Sequence, residues 1–116
     1  MAKAPNIVST AKLRNIRCSP RKARLIIDLI KGKQVDQALQ ILDFSPRRAS
    51  KLTSRLLKSA IANARENSAA DVDKLWVVGG RVNMGTVMKR FTPRAQGRAT
   101  PIRKRFAHIE LEVGNW

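Results

Sequence analysis

The residues able to do chemistry are few, and their spacing points away from catalysis. His108 is the only histidine, and no serine, cysteine or acid offers itself as an obvious catalytic partner. It reads as a structural or RNA-contacting side chain. Glu110 and Glu112 share one strand face at period two. That spacing suits paired-carboxylate chemistry, but ion pairing with Arg or Lys on a neighbouring strand is the simpler reading. Asp71 and Asp73 sit on a polar connection and read as solvated charge rather than metal ligands. Cys18 is the single cysteine, so it forms no internal disulfide, and no Cys/His cluster surrounds it to suggest zinc or a redox pair. A lone buried thiol behaves as a small packing residue and fits a reducing, cytoplasmic setting. Gly79, Gly80 and Gly85 do not form a dinucleotide fingerprint, and in a strand context they mark a hinge or bulge. Nucleophile-elbow, Walker and HExxH patterns are absent. The chain reads as a non-enzyme without cofactor or metal.

Positive charge is what the sequence supplies in quantity. Lys and Arg number 24 against 8 Asp and Glu, a net charge of +16 on 116 residues. A compact domain this basic repels itself, and a polyanion relieves the repulsion. Nucleic acid is the natural polyanion, each phosphate contact adding affinity and salt dependence. A membrane fits less well. The longest apolar run is the four residues Leu75 to Val78, against the ~20 that a spanning helix needs. No apolar signal segment precedes Pro5, so nothing suggests export.

The elements that must carry this charge can be read from periodicity. With 43% hydrophobic residues, the chain can build one modest core. Residues 6–17 alternate imperfectly and predict a strand in which Lys12, Arg14 and Arg17 interleave with Ala11, Leu13 and Ile16. Ser19-Pro20 predicts a capped helix start, with Ala23, Ile26, Ile27 and Ile30 inward and Gly32 at its end. Arg21, Lys22 and Arg24 occupy its first turns, where the helix dipole disfavours cations, so a negative partner is expected nearby. A short helix over Val35 to Phe44 places Val35, Ala38, Leu39 and Leu42 inward. Ser45-Pro46 repeats the capping phrase and predicts a long helix over Pro46 to Asn67, with Ala49, Leu52, Leu56, Ala60, Ile61 and Ala64 inward. Arg47, Lys51, Arg55 and Lys58 make a second stripe on it; a solvated face and an RNA-contacting face fit that stripe equally. Leu75 to Val82 predicts a β-branched strand. His108 to Val113 predicts another, with Ile109, Leu111 and Val113 on one face.

Between these strands lies a segment that has no place in a core. Asn83 to Ala107 carries Lys89, Arg90, Arg94, Arg98, Arg103, Lys104 and Arg105 and no acid. Pairing Leu75 with Val113 as an antiparallel hairpin puts the midpoint at Arg94, so Pro93-Arg94-Ala95 becomes the tip of a protruding arm of order 35 Å at ~3.3 Å per residue. An isolated two-stranded ribbon is marginal in water. One this basic should order only when anions surround it. The domain expected is a single unit over 1–116, with a body of about 6–82 and 107–113 and an arm of about 83–106.

Aromatic content narrows the binding style. Phe44, Phe91, Phe106, Trp76 and Trp116 are the only aromatics, too few for the stacking platforms of RRM or OB-fold proteins. Neither a GXXG loop, a zinc finger nor a leucine-zipper run is present. Backbone and shape recognition remains, with Arg forks favoured at phosphate.

Four stretches carry a resemblance. They are Ser19-Pro20-Arg21-Lys22-Ala23-Arg24-Leu25 continuing to Asp28-Leu29-Ile30-Lys31-Gly32-Lys33; Ala38-Leu39-Gln40-Ile41-Leu42-Asp43-Phe44-Ser45-Pro46; Leu57-Lys58-Ser59-Ala60-Ile61-Ala62-Asn63-Ala64; and Met88-Lys89-Arg90-Phe91-Thr92-Pro93-Arg94-Ala95-Gln96-Gly97-Arg98-Ala99, then Ile102-Arg103-Lys104-Arg105 and His108-Ile109. In order and spacing the chain resembles the protein twenty-two family of the large ribosomal subunit, in its bacterial form. The resemblance implies an α+β fold: a small three-stranded antiparallel sheet packed with three helices, plus a long protruding β-hairpin. It implies a body on the subunit surface near the tunnel exit and a hairpin running inward through rRNA. It implies contact with several rRNA domains, help in their assembly, and influence on macrolide access near the tunnel constriction. Expected rRNA-binding residues are Lys12, Arg14, Arg17, Arg21, Lys22, Arg24, Lys89, Arg90, Arg94, Arg98, Arg103, Lys104 and Arg105. The tunnel-lining tip implied is Met88, Lys89, Arg90, Phe91, Pro93, Arg94, Ala95 and Gly97. Expected partners are large-subunit rRNA, neighbouring ribosomal proteins and nascent polypeptide, with no DNA, no membrane and no homo-oligomer. The chain departs from the family pattern at Gly79 to Thr86, which is more basic than usual and lacks a proline after the glycine. It departs again at Trp116. A general nucleic-acid-binding protein or chaperone acting off the ribosome is the alternative on composition alone; an RNA-processing enzyme has no support in the sequence.

Overall fold

The computed structural model describes residues 6–68, 72–93, 95–97 and 99–115. The N-terminal Met1 to Pro5, Asp71, Arg94, Arg98 and Trp116, each of which figures in the sequence reading, lie outside them. The described elements run β1 (Asn6–Ile16), α1 (Pro20–Ile30), α2 (Val35–Phe44), α3 (Arg48–Ser68), β2 (Trp76–Pro93) and β3 (Ala99–Asn115), with 3-10 turns at Val72–Lys74 and Ala95–Gly97. The strands form one antiparallel sheet in the order β1-β3-β2. The expected α+β class, with a three-stranded sheet and three helices, is what the chain adopts.

One face of the sheet meets the helices. Ile109, Leu111 and Val113 of β3 and Val77 of β2 are fully buried against Ile26, Ile27 and Ile30 of α1, Val35 and Leu42 of α2, and Leu56, Leu57 and Ala60 of α3. Burying one such aliphatic side chain contributes roughly 1.5–3 kcal/mol. His108, Glu110 and Glu112 alternate onto the opposite, half-exposed face, as the period-two pattern predicts.

The helix ends explain how the layers join. Ser19 stands at the start of α1 in an extended conformation, and Pro20 takes the first helical position, but the serine side chain makes no capping hydrogen bond. α1 stops at Ile30, and Gly32 adopts φ +77°, the left-handed turn that a residue without a β-carbon enters freely. Its N–H donates to the Val77 carbonyl (2.8 Å), the Val77 N–H to the Lys33 carbonyl (2.9 Å) and the Val35 N–H to the Leu75 carbonyl (3.2 Å). The α1–α2 link is thereby stitched to the start of β2.

α3 begins two residues later than Ser45-Pro46 predicts. Ser45 instead ends α2 in an extended conformation, and α3 starts only at Arg48. The Ser50 hydroxyl donates to the Ser45 hydroxyl (2.8 Å), which ties the two helices at their join. α3 is also buried on more sides than its apolar stripe suggests. Leu57, Ser50 and Thr53 are all fully enclosed, and Thr53 Oγ1 donates to the Ala49 carbonyl at 2.8 Å.

The hairpin register corrects the expected one. Val113 pairs with Val77, not Leu75, and the last described pair is Pro93 with Ala99. The starting pair alone moves the midpoint by one residue, and two bulges, one between Val77 and Gly79 and one between Met84 and Val87, each insert an extra residue into β2 and together move it by one more. The turn therefore centres on Gln96 rather than Arg94, and Gln96 (φ 65°) and Gly97 (φ 73°) take left-handed conformations there. Beyond the second bulge the two strands continue as an unaccompanied ribbon. The molecule measures 62 × 31 × 25 Å with a radius of gyration of 17.3 Å, against ~13 Å for a compact chain of this length.

Candidate nucleic-acid interface

Basic side chains gather in three places. The first is the ribbon. In its register Lys89 stands directly opposite Arg103, with Val87 opposite Arg105 two residues away on the same face. The other face pairs Met88 with Lys104 and Arg90 with Ile102. Like charges directly opposite one another destabilise a strand pair, and here both faces carry cations without an acid. Phe91 at 70% exposure and Pro93 lie near the end of the ribbon, and Met88 is half-buried. Arg90 folds back locally, its Nη1 donating to the Lys89 carbonyl (2.9 Å) and its Nη2 approaching Met88 Sδ (3.7 Å). Ala95 and Gly97 form the terminal turn.

The second place is the open face of the sheet. Glu110 lies in register between Lys12 on β1 and Arg81 on β2. Arg81 Nη2 donates to Glu112 Oε1 at 2.7 Å, and the carboxylate end is only 14% exposed. That hydrogen bond, with the fields of Glu110 and Glu112, holds the Arg81 guanidinium above its ordinary pKa. Glu112 thus makes the ion pair with a neighbouring strand that its position predicts, while Glu110 lies in register with Lys12 and Arg81 without one among the described residues. A cleft of about 410 Å3 opens beside them between Lys12, Arg14, Asn15, Asn83 and His108. The Asn15 N–H donates to His108 Nδ1 (3.0 Å) from a left-handed position (φ 56°) beside the β1 irregularity between Leu13 and Ile16. An accepting Nδ1 leaves the neutral ring's proton on Nε2, and that side of the ring lies against Gly85.

The third place lies between the starts of α1 and α3. Arg17, Cys18, Ser19, Lys22, Arg47, Arg48 and Ala49 line a cleft of about 420 Å3. Cys18 is half-buried there and packs against the core, with Sγ 3.5 Å from the Ser19 carbonyl. Of the predicted residues, Arg17 and Lys22 meet here, whereas Arg21 is exposed elsewhere on α1. Arg24 turns onto the hairpin base, its Nε and Nη2 donating to the Val82 carbonyl at 3.3 and 3.1 Å. Arg47 joins this cleft from the α3 stripe, whose members Lys51, Arg55 and Lys58 are all exposed. Arg48 is not singled out by sequence. The signal is nonetheless present: Ser19-Pro20-Arg21-Lys22 and Ser45-Pro46-Arg47-Arg48 are two copies of one phrase, and the fold brings them side by side.

Among the described residues, no group of three or more His, Cys, Asp or Glu could hold a metal ion. No helix there is long and apolar enough to cross a membrane.

Comparison with known proteins decides the family. The model of ribosomal protein L22p/L17e matches residues 11–114. The chain belongs to that family. Its relatives include the large ribosomal subunit protein uL22 of Syntrophotalea carbinolica, 54% identical over 101 residues, 87% of this chain and 92% of the relative. The same protein of Citrifermentans bemidjiense is 54% identical over 103 residues, covering 89% and 93%. That of Geobacter sulfurreducens is 52% identical over 107 residues, covering 92% and 96%. Membership makes the chain a structural, non-enzymatic constituent of the large ribosomal subunit, in the bacterial cytoplasm.

Proposed function

We propose that the protein binds rRNA from several domains chiefly through Lys and Arg contacts to phosphate, assists the folding of the subunit, and lines the nascent-peptide tunnel with its hairpin tip. The observation that carries this reading is the ribbon itself. Lys89, Arg103 and Arg105 share one face, Arg90 and Lys104 the other, and no acid balances either. A two-stranded ribbon with cations on both faces and no core is costly in water. Surrounded by phosphates it gains a partner on every side. A protein that lay on one face of a duplex would need only one basic face.

In this reading Lys12, Arg14, Arg17, Arg21, Lys22 and Arg24 contact rRNA from the body, and Lys89, Arg90, Arg94, Arg98, Arg103, Lys104 and Arg105 from the arm. Met88, Lys89, Arg90, Phe91, Pro93, Arg94, Ala95 and Gly97 face the tunnel and the nascent chain. Neighbouring ribosomal proteins meet the remaining body surface. The test is crosslinking inside intact large subunits, with a photoreactive side chain at Arg94 and a control at Arg55. Contact from position 94 with tunnel-wall rRNA or a nascent chain is expected. Crosslinks from it to surface RNA alone would discard the tunnel placement. Deleting Met88 to Arg98 should leave the body folded and alter macrolide footprints in the tunnel.

A further inference from the structure

The cleft between α1 and α3 differs from the other two basic regions in how its charge is assembled. The ribbon's cations follow from a basic run of sequence, and the open sheet face mixes Lys12, Arg14 and Arg81 with Glu110 and Glu112. The cleft instead draws Arg17 from the link after β1, Lys22 from α1, and Arg47 and Arg48 from the start of α3, segments some 30 residues apart in sequence. No acid lines it. None of the four basic side chains makes a hydrogen bond or ion pair among the described residues. Neither helix has an acidic residue in its first turn to offset the cations or the positive helix end. Tertiary folding has therefore gathered like charges at a cost, with no internal compensation.

We propose that this cleft takes two backbone phosphates at once, from a place where two RNA strands run close together, and so recognises an RNA junction rather than a plain duplex. The inference rests on the reading that the protein binds rRNA. Lining supports it: the cleft beside the sheet glutamates is of similar size, about 410 Å3 against 420 Å3, but here four cations and no acid line the walls. Charge supports it as well. A single phosphate would leave most of four positive charges unmatched, whereas a pair of phosphates repel one another and need such a cluster between them. Arg47 and Arg48 offer forked donors suited to bridging two phosphate oxygens. The half-buried Cys18 and the buried Ala49 make the wall apolar, which strengthens charge–phosphate attraction within the cleft.

The test uses the full chain and two synthetic RNAs of equal length and phosphate number, a continuous hairpin duplex and a three-way junction, titrated at one fixed salt concentration. Wild type should bind the junction about tenfold tighter or more, and Arg47→Gln/Arg48→Gln should bring the two affinities together by removing the charges that hold the second phosphate. The charge-matched control Arg55→Gln/Lys58→Gln should weaken both RNAs equally and keep the preference. Lys22→Gln, exposed on α1, repeats the measurement should the double change disturb the start of α3. Equal wild-type affinity for the two RNAs, or a junction preference that survives loss of Arg47 and Arg48 and of Lys22, would overturn the proposal while leaving RNA binding intact. Failure of wild type to bind either RNA would overturn the underlying reading as well.

Discussion

In the body, β3 presents Ile109, Leu111 and Val113 to a layer of helices; several residues earlier, the same strand presents Arg103, Lys104 and Arg105 on the two faces of a bare ribbon. The β2–β3 ladder runs through both regions, with one bulge inside the body between Val77 and Gly79 and a second, between Met84 and Val87, where the regions meet. What changes at that bulge is the source of order. Below it, aliphatic burial holds the strands in place. Above it, Lys89 stands across from Arg103 and the other cations face apolar residues with no acid among them, and an external anion has to supply what the core supplies below. Backbone pairing is thus common to both regions, while stability and binding are divided between them.

The largest test of that division acts on binding alone. Replacing Lys89, Arg90, Arg103, Lys104 and Arg105 with Gln should leave thermal unfolding of the body unchanged. The slope of log affinity for large-subunit rRNA against log salt should become shallower by roughly four, at ~0.7–0.9 for each phosphate no longer neutralised. An equal drop in Tm would break the comparison. In the opposite direction, Leu57→Ala in the enclosed interior of α3 should cost about 2–5 kcal/mol, whereas Phe91→Ala at 70% exposure should change stability by under ~0.5 kcal/mol. Denaturant titration of the two variants measures the contrast.

A smaller effect is expected inside the body, where α1 packs on the sheet. A β-carbon on Gly80 would lie 2.8 Å from Ile27 Cγ2 and 3.1 Å from Leu111 Cδ2. Gly80→Ala should therefore force α1 from the sheet at a cost of about 1–3 kcal/mol, read as a lower unfolding midpoint. The smallest effect is the most pointed. Lys89→Glu converts a like-charge pair with Arg103 into an opposite-charge one, worth ~0.2–1 kcal/mol to the ribbon. It should slow amide exchange in the free hairpin while weakening rRNA binding. Gain on one and loss on the other would show that the arm's charge serves its partner rather than its fold.

The body is legible in the sequence because burial leaves a period. Ile109, Leu111 and Val113 alternate, and Ala23, Ile26, Ile27 and Ile30 recur at helical spacing, so strand and helix faces can be named from the residues. Leu57 and Thr53 escape because α3 is enclosed from more than one direction, which no single stripe records. Half of the two-residue error in the hairpin midpoint comes from where β2 starts its pairing, at Val77 with Val113, and half from two bulges. A bulge is a backbone irregularity, and Gly79, Gly80 and Gly85 signal irregularity without giving its count. Among the binding residues, runs of charge such as Arg103 to Arg105 are plain. The cleft of Arg17, Lys22, Arg47 and Arg48 is not, since its members become neighbours only when α1 and α3 pack.

Amide hydrogen exchange on the protein, free and then bound to large-subunit rRNA, tests the division of labour most directly. The account predicts that Leu57, Val77 and Ile109 are protected in both states, while Lys89, Phe91 and Arg103 exchange rapidly in the free protein and slow sharply on the RNA. Arm amides as well protected as those of the body in the free protein, with no change on binding, would contradict it.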